Sequence, residues 1–253
     1  MLWHKSWLET RWRFVIGVAL MACSAVAVVL VYPRVRELLP MVSPTGEGEL
    51  ARQIRASAQL SRDYHSYVWS QWFAKQALYL WTLFAVLLGT GGLVSGARSG
   101  ALFTLSLPVS RRRLFAVRAA TCLAELAVLA VVPALLVAAA APAVAERYPI
   151  GDAIVHAACL FVAGVAFFAL ASLLSTVFGD VWRPLLIALF AAIALGLIEQ
   201  VVPEASRFSV FSVMSAERYF RGGGLPWLGL IASAAVSVAL LYGAARNVAR
   251  QDF

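Results

Sequence analysis

The sequence predicts an all-α integral membrane protein with six transmembrane helices, and three observations carry that prediction. Of the 253 residues, 62% are hydrophobic and 13% are charged, and the mean hydropathy is +0.81. Soluble domains average about 45–50% apolar and about 25% charged residues. The apolar residues fall into six runs of the length a helix needs to cross the hydrocarbon core, about 20 residues. None of these runs alternates apolar and polar residues as a barrel strand would. The net charge of +8 does not point to nucleic acid, because the basic residues lie between apolar runs and not in one block.

Residues 1–13 are basic and rich in tryptophan. Trp3, Trp7 and Phe14 recur at helical spacing, with Lys5, Glu9 and Arg13 on another face. This pattern predicts an interfacial helix lying in the headgroup layer before the chain turns inward. The first span is expected over residues 14–32, ending at Tyr32-Pro33. It lacks a small-residue cleavage site and so reads as a retained span, not a signal peptide.

Residues 33–75 form the one sizeable extracytoplasmic insert. Pro33, Pro40, Pro44, Gly46 and Gly48 break its first part into turns. Its end carries Tyr64, Tyr67, Trp69, Trp72 and Phe73, read as an aromatic belt at a membrane surface. The second span is expected over residues 77–94. The third and fourth, over 119–144 and 153–178, exceed the minimum length, which predicts tilt or a kink at Pro133. The fifth covers 184–202 and the sixth 225–245. Between them, Phe208, Val210, Phe211, Val213 and Met214 lie among serines, too apolar for a solvated loop and too short to span. A re-entrant or interfacial hairpin at the outer side fits, with Gly222 to Gly224 turning the chain into the last span.

The stretch from Gly89 to Arg118 stands out chemically. It carries Arg98, Arg111, Arg112, Arg113 and Arg118 and no acid. Total Lys and Arg on the two sides are nearly equal, but this is the densest basic short connection. It therefore belongs in the cytoplasm, with both termini. Gly96 and Gly100 flank a segment whose Ala101, Leu102, Leu105 and Ser106 suit a short helix ended by Pro108. Ser110 is placed to cap the next helix. Arg111 to Arg113 then occupy a helix N-terminus, where the macrodipole disfavours cations. Anionic lipid or the acidic groove of a partner accounts for them better than helix stability.

Other chemistry is sparse. The motifs HExxH, GxSxG, the calcium EF-hand and the P-loop are all missing from the sequence. Ser99 lies in Gly-Ala-Arg-Ser-Gly, which is not a nucleophile elbow. His4, His65 and His156 fall in three different regions. Cys23, Cys122 and Cys159 lie inside apolar runs without CxxC spacing, so neither a zinc site nor a disulfide framework is implied. The intramembrane ionisable candidates are Glu125, His156 and Glu199, since a charge in hydrocarbon is costly. Glu125 sits about two turns into the third span and is expected either to pair with Arg118, two turns away on the same face, or to snorkel inward. His156 and Glu199 lie near outer span ends, within reach of water.

At the basic turn the chain resembles the permease subunits of type-2 ABC transporters. Their Leu-Ser-x-Pro-Val/Ile-Ser-Arg signature reads here as Leu105-Ser106-Leu107-Pro108-Val109-Ser110-Arg111, and Arg250-Gln251-Asp252-Phe253 is similar to their closing Arg-x-Asp-Phe. Many relatives carry a glutamate and a Gly-Thr pair in the turn, where this chain has Ala97, Arg98, Ser99, Gly100 and Ala101. The resemblance implies a short cytoplasmic coupling helix that meets a separate ATP-binding subunit through Arg98, Ser99, Leu102, Leu105, Pro108, Arg111, Arg112 and Arg113. It also implies a second permease subunit, as homo- or heterodimer, and ATP with magnesium on the partner instead of a cofactor in this chain. Export across a bacterial inner membrane is the implied activity. A secondary carrier would want repeated halves and central charges; a non-transporting membrane scaffold needs no signature.

Overall fold

The computed structural model describes residues 2–38, 59–90, 110–201 and 209–250, and every regular element among these is helical. All six expected spans appear as helices long and apolar enough to cross a membrane.

The first helix, α1 (Leu2–Leu38), corrects two expectations. There is no separate interfacial helix over residues 1–13 and no turn at Arg13. Residues 2–13 are the first turns of one 37-residue helix. The reason is partnership: Glu9 and Thr10 reach the third span, and Arg13 reaches the end of the second, so the segment is tied to the bundle. Trp3, Trp7 and Trp12 nevertheless face outward. Pro33 does not end the helix either. The proline lacks an N–H and costs the preceding turn a bond. The carbonyl left without its helical donor is that of Val29, and beside it the Tyr67 hydroxyl donates to the Val28 carbonyl at 3.4 Å, tying this turn of α1 to the second span.

The second span, α2, is continuous from Tyr64 to Gly89 and starts about three turns before the sequence expectation. Asp63 caps it, accepting from the Ser66 amide at 2.9 Å. Its segment Trp69–Gln76 is a π-helix. This wider turn advances the buried face by five residues, from Trp72 to Ala77, before ordinary spacing resumes at Trp81. Tyr64, Tyr67, Trp69, Trp72 and Phe73 are consequently buried in the core and do not form the surface belt expected of them.

The third span, α3 (Arg111–Ala140), runs unbroken through Pro133 and tightens into a 3₁₀ turn over Ala141–Val144. Ala145, in the left-handed region, closes it. The fourth, α4 (Ile150–Val177), begins after Pro149, with Asp152 in its first turn where the macrodipole favours an acid. Next come α5 (Trp182–Val201), two short helices α6 (Val210–Met214) and α7 (Glu217–Phe220), and the last span α8 (Trp227–Arg250). Gly222 and Gly224 take positive φ in the connection before α8.

α4 is the central helix, packed against α2, α3 and α8, while α1 lies along α3. Small residues permit this closeness. A Cβ on Gly89 would stand 2.8 Å from both Ala171 Cβ and the Phe168 carbonyl oxygen, and one on Gly164 would collide with the Trp81 ring. The Trp81 indole donates to the Leu126 carbonyl at 3.1 Å, tying α2 to α3 in the bundle interior. α5 and α8 are peripheral: only 17% of each apolar window is covered by protein, against 61% for α2 and α4.

Candidate functional site at the basic end of the bundle

Two ends can be distinguished. One gathers the start of α1, the ends of α2 and α4, the starts of α3 and α5, and the end of α8. The other gathers the remaining helix ends with α6 and α7.

At the first end, α3 starts at Arg111 with Ser110 in the N-cap position, as expected. The Ser110 hydroxyl makes no capping bond; only its carbonyl engages, accepting from the Arg113 and Leu114 amides. No acid occupies the first turn, and Arg112 and Arg113 are exposed. A positive helix end thus carries cations facing out, with no ion pair to Arg112 or Arg113 among the described residues. Arg98, Ser99, Leu102, Leu105 and Pro108 of the expected coupling element lie outside the described residues, as does the side chain of Arg111.

Helix α1 supports both edges of that turn. Arg13 Nη1 donates to the Leu87 carbonyl at 2.8 Å, supplying a cation to the carbonyl-rich end of α2 just before the chain leaves it. Thr90 Oγ1 donates to the same carbonyl at 3.1 Å. On the far edge, Arg118 donates to Glu9 Oε2 at 3.1 Å. Glu125 is buried, and the expected pairing with Arg118 is not made. Arg118 is taken by Glu9, and Glu125 Oε1 accepts from the Thr10 hydroxyl at 2.6 Å. Its other oxygen is buried without a partner. Sequence spacing along α3 could not reveal these bonds, because both partners come from a helix more than a hundred residues earlier.

At the opposite end, the structure moves His156 from a water-reaching position to an enclosed one, 1% exposed. The α6–α7 segment folds over it and closes it off. His156 Nδ1 lies 3.2 Å from the Ser215 carbonyl, and Nε2 is buried without a partner. Phe73 stacks on its ring at 4.5 Å. His65, expected in a separate region, stacks on Tyr148 and Phe220 and pairs with Asp152 Oδ2 at 3.1 Å. Tyr219 donates to Asp152 Oδ1 at 2.8 Å, and that bond raises the Tyr219 pKa, with burial a lesser cause. Burial pushes the Tyr148 hydroxyl up as well, with Asp152 adding to it. Trp69 stacks on Phe220 at 4.1 Å and donates to the Ser215 carbonyl at 3.0 Å. Sequence reasoning missed this cluster because its members come from four elements with no shared spacing.

Glu199, the third intramembrane candidate, is partly exposed on α5 and borders a groove against α2. The three intramembrane candidates are therefore not brought together. Among the described residues no three His, Cys, Asp or Glu side chains gather as a metal-binding group. Comparison of the chain with protein families, with characterised proteins and with solved structures finds no match.

Proposed function

We propose that this chain is the membrane-spanning permease subunit of an ATP-driven ABC exporter, powered by a separate ATP-binding subunit. The observation that carries the reading is the Leu105 to Arg111 signature leading directly into a helix whose first turn is cationic and outward-facing. Six membrane-length helices and the absence of a P-loop in the sequence agree with it. The density of arginines in the short connection between α2 and α3 supports a cytoplasmic basic end, with both termini inside and α6–α7 forming the outer hairpin, in a bacterial inner membrane.

In this reading the ATP-binding subunit pushes on the turn between α2 and α3, and α1 receives the push through Arg13 and Glu9. A second permease subunit completes the pathway, and the spans move by rigid-body tilting between inward- and outward-open forms. The test is co-purification with an ATP-binding subunit encoded beside the chain. Reversing Arg111, Arg112 and Arg113 to glutamate is expected to abolish assembly and stimulated ATP hydrolysis. Intact assembly and turnover in the triple variant would remove the arginines from the contact. The chain purified alone is expected to hydrolyse no ATP.

A further inference from the structure

The outward face of α8 changes character where the helix approaches the basic end. Tyr242, Arg246 and Arg250 recur every four residues, so they lie one above another on one face. All three are exposed, as is Val238 one turn before them. The opposite face holds the helix in place. Ala244 and Val248 pack against Phe115 of α3, and Asn247 Nδ2 donates to the Thr176 carbonyl at 3.1 Å and to its Oγ1 at 3.0 Å. These contacts fix the roll of α8, and with it the outward direction of the stripe. The stripe is turned away from α3, and hence from Arg112 and Arg113.

Helix geometry places these residues in depth. At 1.5 Å per residue, about 28 Å separates Trp227, exposed at the start of α8, from Arg246. The hydrocarbon core is about 30 Å thick. With Trp227 at one interface, where tryptophan is favoured, Arg246 reaches the other. Arg250 then lies one turn beyond, among the headgroups, and Tyr242 and Val238 stay at acyl-chain depth. Charge at this end is one-sided even with every residue counted. Eleven of the 21 lysines and arginines flank the spans here by sequence, against three acids, Glu9, Asp180 and Asp252. Glu9 pairs with Arg118 and Asp180 with Arg183. Asp252 lies outside the described residues and is one charge against the two of Arg246 and Arg250.

A second copy in the same membrane would bring the same basic end to the same level, cation against cation. A soluble acidic partner could meet Arg250 but would not reach Val238 at acyl-chain depth. A lipid with a negative headgroup matches both parts of the stripe. We propose that α8 holds an anionic phospholipid of the leaflet at the basic end. Its phosphate sits on Arg246 and Arg250, and its acyl chains run along Tyr242 and Val238. The site needs neither ATP nor a partner chain and does not rest on the permease reading.

The experiment uses the full chain in nanodiscs of phosphatidylglycerol and phosphatidylcholine in equal amounts, without ATP or a partner, so its outcome is separable from the co-purification test. The photoreactive p-benzoylphenylalanine in place of Val238 attaches to whatever lies at acyl-chain depth on the stripe, and mass spectrometry of the adducts reads the lipid class. Expected are phosphatidylglycerol adducts in about fivefold excess, the worth of one arginine at an anionic surface. Arg246→Gln with Arg250→Gln is expected to bring the two lipids to about equal yield, and Arg246→Lys with Arg250→Lys to keep the excess. The same probe at Ile231, exposed near the other end of α8, is expected to give about equal yields. Equal yields at Val238, an excess unchanged in the glutamine variant, or an excess as large at Ile231 would overturn the proposal. So would adducts joining two chains as the main product, since a second copy would then be the occupant.

Discussion

The two ends of this bundle treat polar groups in opposite ways. The end built around His156 encloses them. His65, Asp152, Tyr219, Trp69 and the Ser215 carbonyl satisfy one another inside a stack of aromatic rings, and Arg36 with Glu146 and Arg221 with Glu217 neutralise charge around it. The end built around Arg13 leaves its cations outward, with Glu9 the one cross-helix acid tied to an arginine among the described residues. An end closed by its own side chains has little left to offer a soluble partner. An end with exposed arginines at a helix N-terminus has stability to gain from one. On the proposed permease reading, the enclosed end is the fixed clamp of the bundle and the basic end the part available to be moved.

The largest expected effect tests the clamp. Trp69→Ala removes the stack on Phe220 and the bond to Ser215, and is expected to cost about 3–5 kcal/mol, the range for a buried aromatic truncated to alanine. Thermal unfolding in detergent measures it; a loss below about 1 kcal/mol would mean that α6 and α7 are not clamped through this ring.

Thr10→Val comes next. It leaves both Glu125 oxygens without a partner, with an expected cost of about 1–3 kcal/mol. Glu125→Leu combined with Thr10→Val is expected to recover most of that loss, because it removes the stranded acid too. Failure of the double variant to recover would place the stabilising role of Glu125 elsewhere.

The enclosed end also carries an alkaline signature. Tyr148 and Tyr219 have pKa values raised above the ordinary value of about 10. Such groups leave stability intact below that value and remove it as pH rises above it, where the unfolded chain ionises and the folded one resists. The slope is up to about 1.4 kcal/mol per pH unit for the enclosed Tyr148, and smaller for Tyr219, whose bond to Asp152 is screened by solvent. Tyr148→Phe is expected to flatten the loss of stability above pH 10 and leave neutral pH little changed. An identical alkaline slope in the variant would exclude this tyrosine as a cause.

The smallest effect belongs to the basic end. Glu9→Gln breaks a partly exposed pair with Arg118 and is expected to cost about 0–1 kcal/mol, less in high salt. A large, salt-insensitive loss would show that this end is clamped as firmly as the other.

Much of the fold was legible because hydrocarbon imposes a simple rule. A chain that must satisfy its own backbone within the membrane crosses as helices, so six long apolar runs became six helices. The errors lie where that rule says nothing. Residues 1–13 and 64–76 have mixed composition, suited equally to an interface and to a core. The aromatic side chains of the second stretch were read as a belt, yet Trp72 is 1% exposed. The π-helix beneath them shifts the buried face out of ordinary register, so periodicity could not reveal it. At the basic end, the exposed position of Arg112 and Arg113 at a helix start was legible from charge and local pattern, whereas the contact of Arg13 was not. Its role depends on the Leu87 carbonyl, 74 positions away.

The sequence by itself determined that this is a six-helix membrane protein with a basic turn between its second and third helices, because hydropathy and local charge are properties of neighbouring residues. Only the tertiary structure decided which polar groups meet: Thr10 with Glu125, Glu9 with Arg118, His65 with Asp152, and His156 with Ser215. Those pairings follow from which helices pack side by side, and packing is set by shape at positions such as Gly89 and Gly164, where the absence of a side chain lets a distant helix approach.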